Sequence, residues 1–173
     1  MDISRSVDNS LDITVEFLKE LIKIDTQQGK PISQCPFGVG PKKALEKTLG
    51  YCASLGFNVK NIDNYIGYAE IGEGEKLIGI PMHLDIVPPG DGWSVEPFSG
   101  IVIDNIIYGR GAIDNKGAVS MLIHVLKNIE DTYPIINKRI RLIFGTNEET
   151  GMECIKYYLD KGEEIPSMGF TPD

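Results

Sequence analysis

The sequence predicts an α/β fold in which three layers, α/β/α, enclose a mixed, mostly parallel sheet. Two observations support this prediction. Segments with apolar residues at helical spacing alternate along the chain with short apolar runs bounded by Gly, Asn or Pro. The 173 residues suffice for one domain with a sizeable core, and no repeat or low-complexity segment interrupts them. Helices and strands that alternate in this way bury their apolar faces by packing as layers.

Four segments show the apolar periodicity of amphipathic helices. The first is Leu11–Ile24, for which Ser10 or Asp12 is the predicted cap. The second has Pro41 in its first turn, where the missing N–H costs nothing, and it ends before a glycine at 56. The third covers Ala118–Ile129 and the fourth Glu149–Lys161.

Six short runs rich in β-branched and aromatic residues predict strands. They are Phe57–Ile62, Tyr68–Ile71, Leu77–Met82, Ile101–Ile103, Ile106–Tyr108 and Arg139–Phe144. The fourth and fifth flank Asp104-Asn105, which suits a two-residue hairpin turn. Pro88–Gly100 contains three prolines and three glycines and predicts a loop, as does Gly162–Asp173.

The charge balance excludes some partners. The chain has 17 Lys and Arg against 25 Asp and Glu, a net charge of −8, and no basic cluster interrupts this acidic field. A nucleic-acid surface is therefore not expected, and cations are the expected ligands. Three separated cysteines without a C-x-x-C pair are typical of a reducing cytosol. Because neither a secretory signal nor a membrane-spanning run is present, we expect a cytoplasmic protein without membrane contact.

The two histidines differ in their surroundings. His83 ends the apolar run LIGIPMH, and ligands of open α/β sheets bind beyond the carboxyl ends of strands. The H-x-D spacing lets Asp85 turn back to the imidazole and orient it as a metal ligand. On these residues alone, a strand-end histidine that meets a loop carbonyl is the simpler interpretation. His124 lies among apolar residues of a predicted helix and is interpreted as a packing residue.

Several carboxylates follow strands or lie in glycine-rich loops. Asp114 lies in YGRGAIDNKG, where it can reach a metal ion or, like Asn115, cap the next helix. Glu148 and Glu149 follow RLIFGTN; one can bind a metal while the other accepts a proton, or both can simply favour a helix start. Asp173 ends GFTPD and can also be a frayed end. Together with His83, these carboxylates are a donor set for zinc, manganese or cobalt.

Four motifs carry a resemblance to a known family. They are HLDIVPPGDGW, PFSGIVIDNIIYGRGAIDNKGA, RLIFGTNEETG and SMGFTPD. From about Phe17 to Asp173 the chain resembles the dinuclear zinc peptidases and deacylases that include bacterial dipeptidase V, carnosinase, aminoacylase and the succinyl-diaminopimelate desuccinylases. An early segment, PFGVG, and the ending GFTPD are most similar to the dipeptidase V branch.

The resemblance implies a set of metal ligands. His83 and Asp173 would hold one zinc ion, and Glu149 would hold the other. Asp114 would bridge the two ions, with a cis peptide bond to Asn115. Two metals that share a carboxylate are the arrangement of two-metal hydrolases.

The resemblance also implies roles and a reaction. Asp85 would orient His83, and Glu148 would be the general base in hydrolysis of the amide bond of a dipeptide. An N-acyl or N-succinyl amino acid deacylase is one alternative. A non-catalytic fragment that binds one metal is another.

The resemblance further predicts what the chain lacks. The family places a histidine for the second metal near the end of a chain of several hundred residues and inserts a lid domain. Residues 1–173 are therefore expected to be the N-terminal part of the catalytic domain, with a fold incomplete at its C-terminus. We expect such a part not to turn over a dipeptide and to self-associate through exposed surfaces.

Overall fold

The computed structural model describes residues 8–133 and 135–173. The helices are α1 (Leu11–Ile22), α2 (Val39–Ser54), α3 (Lys116–Thr132) and α4 (Glu153–Asp160). The strands are β1 (Asn58–Ile62), β2 (Ile66–Ile71), β3 (Leu77–His83), β4 (Ile101–Ile103), β5 (Ile106–Tyr108), β6 (Arg139–Gly145) and β7 (Met168–Gly169). Among the described residues, no helix combines the length and the apolar character that crossing a bilayer requires.

Five strands form one sheet in the order β1-β2-β6-β3-β7, and β4 and β5 form the predicted hairpin. The sheet is mixed, as predicted, but the expectation that it is mostly parallel is wrong for the described residues. The pairs β1–β2 and β2–β6 are antiparallel, whereas β6–β3 and β3–β7 are parallel. A tight turn at Asp63 and Asn64, both with positive φ, joins β1 to β2 and requires them to be antiparallel.

The sheet lies between two layers of helices, which confirms the predicted α/β/α arrangement. On one face, α1, α2 and α3 cover an apolar core that includes Leu45, Ile123 and Phe144. On the other face, α4 contributes Cys154 and Tyr158 to a smaller cluster. Successive side chains of a strand point to opposite faces, so one sheet supplies both cores.

The fourth helix begins later than predicted. The sequence pattern placed its start at Glu149, but α4 begins at Glu153. The intervening turn contains Gly151 and Met152, both with positive φ, and the Met152 N–H donates to the Asn147 carbonyl at 2.8 Å. Backbone in this region of φ cannot continue a right-handed helix, so the two glutamates belong to a turn.

Strand register brings the candidate residues to one edge of the sheet. His83 and Gly145 are paired residues at the ends of the parallel strands β3 and β6. The residues after β6 therefore emerge beside His83. On the other side of β3, Gly169 pairs with Gly79, also in parallel, so the chain beyond β7 runs toward the same edge and reaches Asp173 level with His83.

Candidate metal centre

Four carboxylate side chains lie near Nε2 of His83: Asp114, Glu148, Glu149 and Asp173. The Nε2 atom lies 2.9 Å from Asp114 Oδ1, 3.7 Å from Asp173 Oδ1 and 4.0 Å from Glu148 Oε2. Possible ligand atoms lie within 4.8 Å of one another in two groups, one of His83, Asp114 and Glu149 and the other of His83, Glu148 and Asp173. The structure thus brings together every residue that the sequence predicts as a ligand, with the predicted base among them.

The orientation of His83 suits a metal ligand. The residue is 2% exposed, and its Nδ1–H donates to the Asp85 backbone carbonyl at 3.0 Å. Its Nε2 is buried and makes no hydrogen bond within the described residues, although Asp114 lies close. A buried imidazole nitrogen that faces carboxylates matches the donor set of a divalent cation such as zinc.

The electrostatics of the cluster also favour a cation. Burial lowers the pKa of His83, but the hydrogen bonds and charge of Asp85 and the charge of Asp114 outweigh it and raise the pKa to about 9. Burial, with the charges of Asp114, Asp85 and Glu148, raises the pKa of Glu149 against the opposing effect of His83. Added positive charge is therefore stabilised here, because it relieves repulsion among these neighbouring carboxylates.

Asp85 connects His83 to the Glu-Glu pair. Its carboxylate accepts the Glu148 N–H at Oδ1, 3.0 Å away, and the Glu149 N–H at Oδ2, 3.1 Å away. The predicted contact of this carboxylate with the imidazole is longer, 3.6 Å to Nδ1, and the backbone carbonyl makes the shorter one. One buried residue thus contacts both the imidazole and the turn that presents the two glutamates.

Asn115 makes a second connection across the site. It occupies the N-cap position of α3, but its side chain makes no capping hydrogen bond among the described residues. The amide Nδ2 instead donates to the Pro172 carbonyl at 3.2 Å and to Asp173 Oδ1 at 3.1 Å. The Asp114–Asn115 peptide bond is cis, as predicted.

Comparison with known proteins identifies the family. Residues 79–170 match the family described as Peptidase family M20/M25/M40. The chain belongs to this family. This membership confirms the family resemblance that the motifs carry.

Curated relatives of this peptidase-family chain are named as dipeptidases. "Putative dipeptidase YtjP" of Bacillus subtilis (strain 168) is 39% identical over 173 residues, which are 100% of this chain and 37% of the relative. A "Putative dipeptidase" of Staphylococcus epidermidis is 37% identical over 161 residues, 92% of this chain and 34% of the relative. The chain thus spans about a third of the length of the curated relatives it matches.

Solved structures confirm the fold. Human carnosine dipeptidase 1 matches with a TM-score of 0.75 and 24% identity, over 92% of this chain and 37% of that chain. An M20 family metallo-carboxypeptidase, Sso-CP2 from Sulfolobus solfataricus, matches with a TM-score of 0.73 and 24% identity over the same shares. At this identity the likeness establishes the α/β architecture.

His124 takes no part in the cluster. Its Nδ1–H donates to the Ser120 carbonyl at 2.8 Å, and its Nε2 lies 2.7 Å from the Tyr51 hydroxyl. Both ring nitrogens therefore have partners inside the layer of α2 and α3. This arrangement agrees with the prediction that His124 is a packing residue.

Two buried polar residues near the site, Asn147 and Lys116, are not among those predicted from the sequence. Asn147 accepts the Glu153 N–H at 3.1 Å and donates to Thr150 Oγ1, so it organises the turn before α4. Lys116 is fully buried and donates to the Ile24 carbonyl at 2.9 Å; burial lowers its pKa to about 8. The contact of Lys116 leaves no sequence signal because its partner lies 92 residues away. Asn147 contacts residues only three and six positions along the chain, in a turn that apolar periodicity does not reveal.

Replacing Asp85 with Asn should destabilise the protein. The carboxylate accepts two N–H groups, one on each oxygen, whereas an amide can accept only one and presents its own N–H₂ to the other. We expect the free energy of unfolding to fall by about 1–3 kcal/mol, the usual cost of an unsatisfied buried group. Chemical denaturation of the metal-free protein measures this loss. Asp91→Asn, at an exposed position of the following loop, is the matched control, and equal stability of the two variants would contradict the connecting role.

Proposed function

We propose that this chain carries the metal centre of a dipeptidase that hydrolyses the amide bond with two zinc ions. The observation that supports this most is the buried Nε2 of His83, which has no hydrogen-bond partner among the described residues and faces the carboxylates of Asp114, Glu148 and Asp173. Family membership supports the hydrolase class and implies divalent metal ions. The relatives named as dipeptidases support the substrate class.

The donor set can be divided between two ions that share Asp114. His83 and Asp173 would complete one site, and Glu149 would belong to the other. Imidazole with carboxylates suits zinc, and manganese or cobalt accept the same donors. The second ion receives only carboxylates from this chain. We therefore propose that residues 1–173 are the N-terminal part of a catalytic domain whose further histidine lies elsewhere in the whole protein.

Glu148 is proposed as the general base. Bound divalent ions would lower the pKa of a water molecule and polarise the amide carbonyl of the substrate. The Glu148 carboxylate lies at the edge of the cluster, 4.0 Å from His83 Nε2, and its backbone N–H is held by Asp85. It would accept a proton from the attacking water as the oxygen bonds to the carbonyl carbon. As the C–N bond breaks, Glu148 would return that proton to the leaving amine.

Glu149 differs from Glu148 in its surroundings and suits a ligand better. Burial and three neighbouring carboxylates disfavour its ionised form, so it gains more from a nearby cation. This difference in environment supports one role for each glutamate.

A substrate panel tests the proposal. The protein as its gene encodes it would be assayed on alanine dipeptides and on N-acetyl and N-succinyl amino acids. We expect turnover of dipeptides that disappears after chelation and returns when zinc is added. Faster turnover of the acylated amino acids would assign the deacylase alternative instead. Turnover that survives complete removal of metal would contradict the proposal.

A further inference from the structure

The side chain of Asn115 is directed away from its own helix. The residue is 1% exposed, and its backbone carbonyl accepts the Val119 N–H at 3.1 Å in the first turn of α3. The side-chain amide contacts the segment that follows β7, where Nδ2 donates to Pro172 and to Asp173. The backbone of Asn115 therefore begins a helix while its side chain holds a distant segment.

The contact fixes the direction of the Asp173 carboxylate. Oδ1 of Asp173 lies 3.1 Å from Asn115 Nδ2 and 3.7 Å from His83 Nε2. Among the described residues, no other side chain donates a hydrogen bond to residues 170–173. With the Pro172 carbonyl held by the same nitrogen, both the backbone and the carboxylate are restrained beside His83.

We propose that Asn115 is a positioning residue of the metal centre, which acts by holding Asp173 in the direction of the ion. This inference rests on the proposed ligand role of Asp173. The amide is a neutral donor, so it restrains the carboxylate without neutralising the charge that attracts a cation. Since Asn115 is adjacent to Asp114, a single loop supplies the Asp114 carboxylate and also the hydrogen-bond donor to the Asp173 carboxylate.

The packing of Asn115 distinguishes positioning from simple structural support. Its Oδ1 is buried and has no hydrogen-bond partner within the described residues. Leucine has nearly the same shape and avoids burying that oxygen, so Asn115→Leu removes the contacts with Asp173 without emptying the space. The metal-free variant should therefore unfold at the denaturant concentration of the wild type, while its affinity for metal falls.

A double-mutant cycle with Asp173 tests the inference. Zinc affinity would be measured by competition with a chromophoric chelator. The proteins are the wild type, Asn115→Leu, Asp173→Ala and the double variant, each made as the whole gene product. We expect Asn115→Leu to weaken zinc binding by about 10–100-fold, the usual effect of losing a residue that orients a ligand. In the Asp173→Ala background the same change should have less than about a twofold effect, because the ligand it positions is absent.

Asn128→Leu is the matched control. Asn128 lies on the same helix and donates to Ser10 and to the His124 carbonyl, and its substitution should leave zinc affinity unchanged. An unchanged affinity of Asn115→Leu, with Asp173→Ala weakened, would overturn the inference and leave the proposed function intact. An equal loss in both backgrounds, or a clear fall in the denaturation midpoint of the metal-free variant, would also overturn it. Unchanged affinity of Asp173→Ala would instead refute the proposed ligand role and, with it, this inference.

Discussion

Replacing Glu148 with Gln should lower kcat by at least about 100-fold, the usual scale for loss of a general base, while the metal content stays the same. Glutamine keeps the shape of the side chain and the backbone N–H contact with Asp85. It cannot accept a proton from water at neutral pH, so the proposed proton transfer stops. Steady-state kinetics on a dipeptide, with metal analysis of the same sample, measures both quantities.

Glu149→Gln is the matched control for this prediction, because it makes the same chemical change at the adjacent residue. Glu149 lies in the group with His83 and Asp114, and burial and neighbouring carboxylates raise its pKa. We expect this variant to lose metal, and to lose activity as a consequence. If Glu148→Gln empties the site and Glu149→Gln keeps its metal, the two roles are the reverse of those proposed here.

Local sequence patterns were sufficient to predict that His83 and the Glu-Glu pair lie at strand ends. Ligands of α/β sheets bind beyond the carboxyl ends of parallel strands, and His83 and the Glu-Glu pair each follow an apolar strand. The parallel pairing of β3 with β6 then places those strand ends together. The family motifs predicted the cis peptide bond after Asp114, a backbone feature that periodicity alone could not indicate.

The connections within the site could not be predicted in this way. Asp85 contacts the N–H groups of Glu148 and Glu149, which lie 63 and 64 residues away in the chain. The H-x-D spacing suggested a local contact with His83, but the backbone carbonyl makes the shorter one. Such contacts depend on strand order and register, which a single sequence does not reveal.

The start of α4 and the two-residue strand β7 were missed for a different reason. The turn before α4 depends on positive φ at Gly151 and Met152, and methionine rarely adopts that conformation. Met168–Gly169 is too short to show alternation and becomes a strand only by pairing with β3. Propensity is a weak guide where tertiary contacts decide the backbone.

Replacing His83 with Ala should reduce zinc affinity by more than about 100-fold. Loss of a residue that only orients a ligand costs about 10–100-fold, and His83 is itself the proposed ligand. His83 supplies the imidazole of the cluster, and its removal leaves only carboxylates. A carboxylate-only site favours harder ions such as magnesium and calcium, so the preference for zinc over these ions should fall as well. Calorimetric titration with zinc and with magnesium measures both effects.

His124→Ala separates the loss of a ligand from the loss of a buried imidazole. His124 is also buried, and its ring contacts Ser120 and Tyr51, outside both groups of possible ligands. Its substitution should lower the free energy of unfolding, because it removes two hydrogen bonds and leaves a cavity, yet zinc affinity should stay at the wild-type level. Circular dichroism of both variants verifies that each is folded before titration. Equal zinc affinity of folded His83→Ala and the wild-type protein would show that Nε2 is not a ligand, and the metal centre would then have to be assigned to the carboxylates alone.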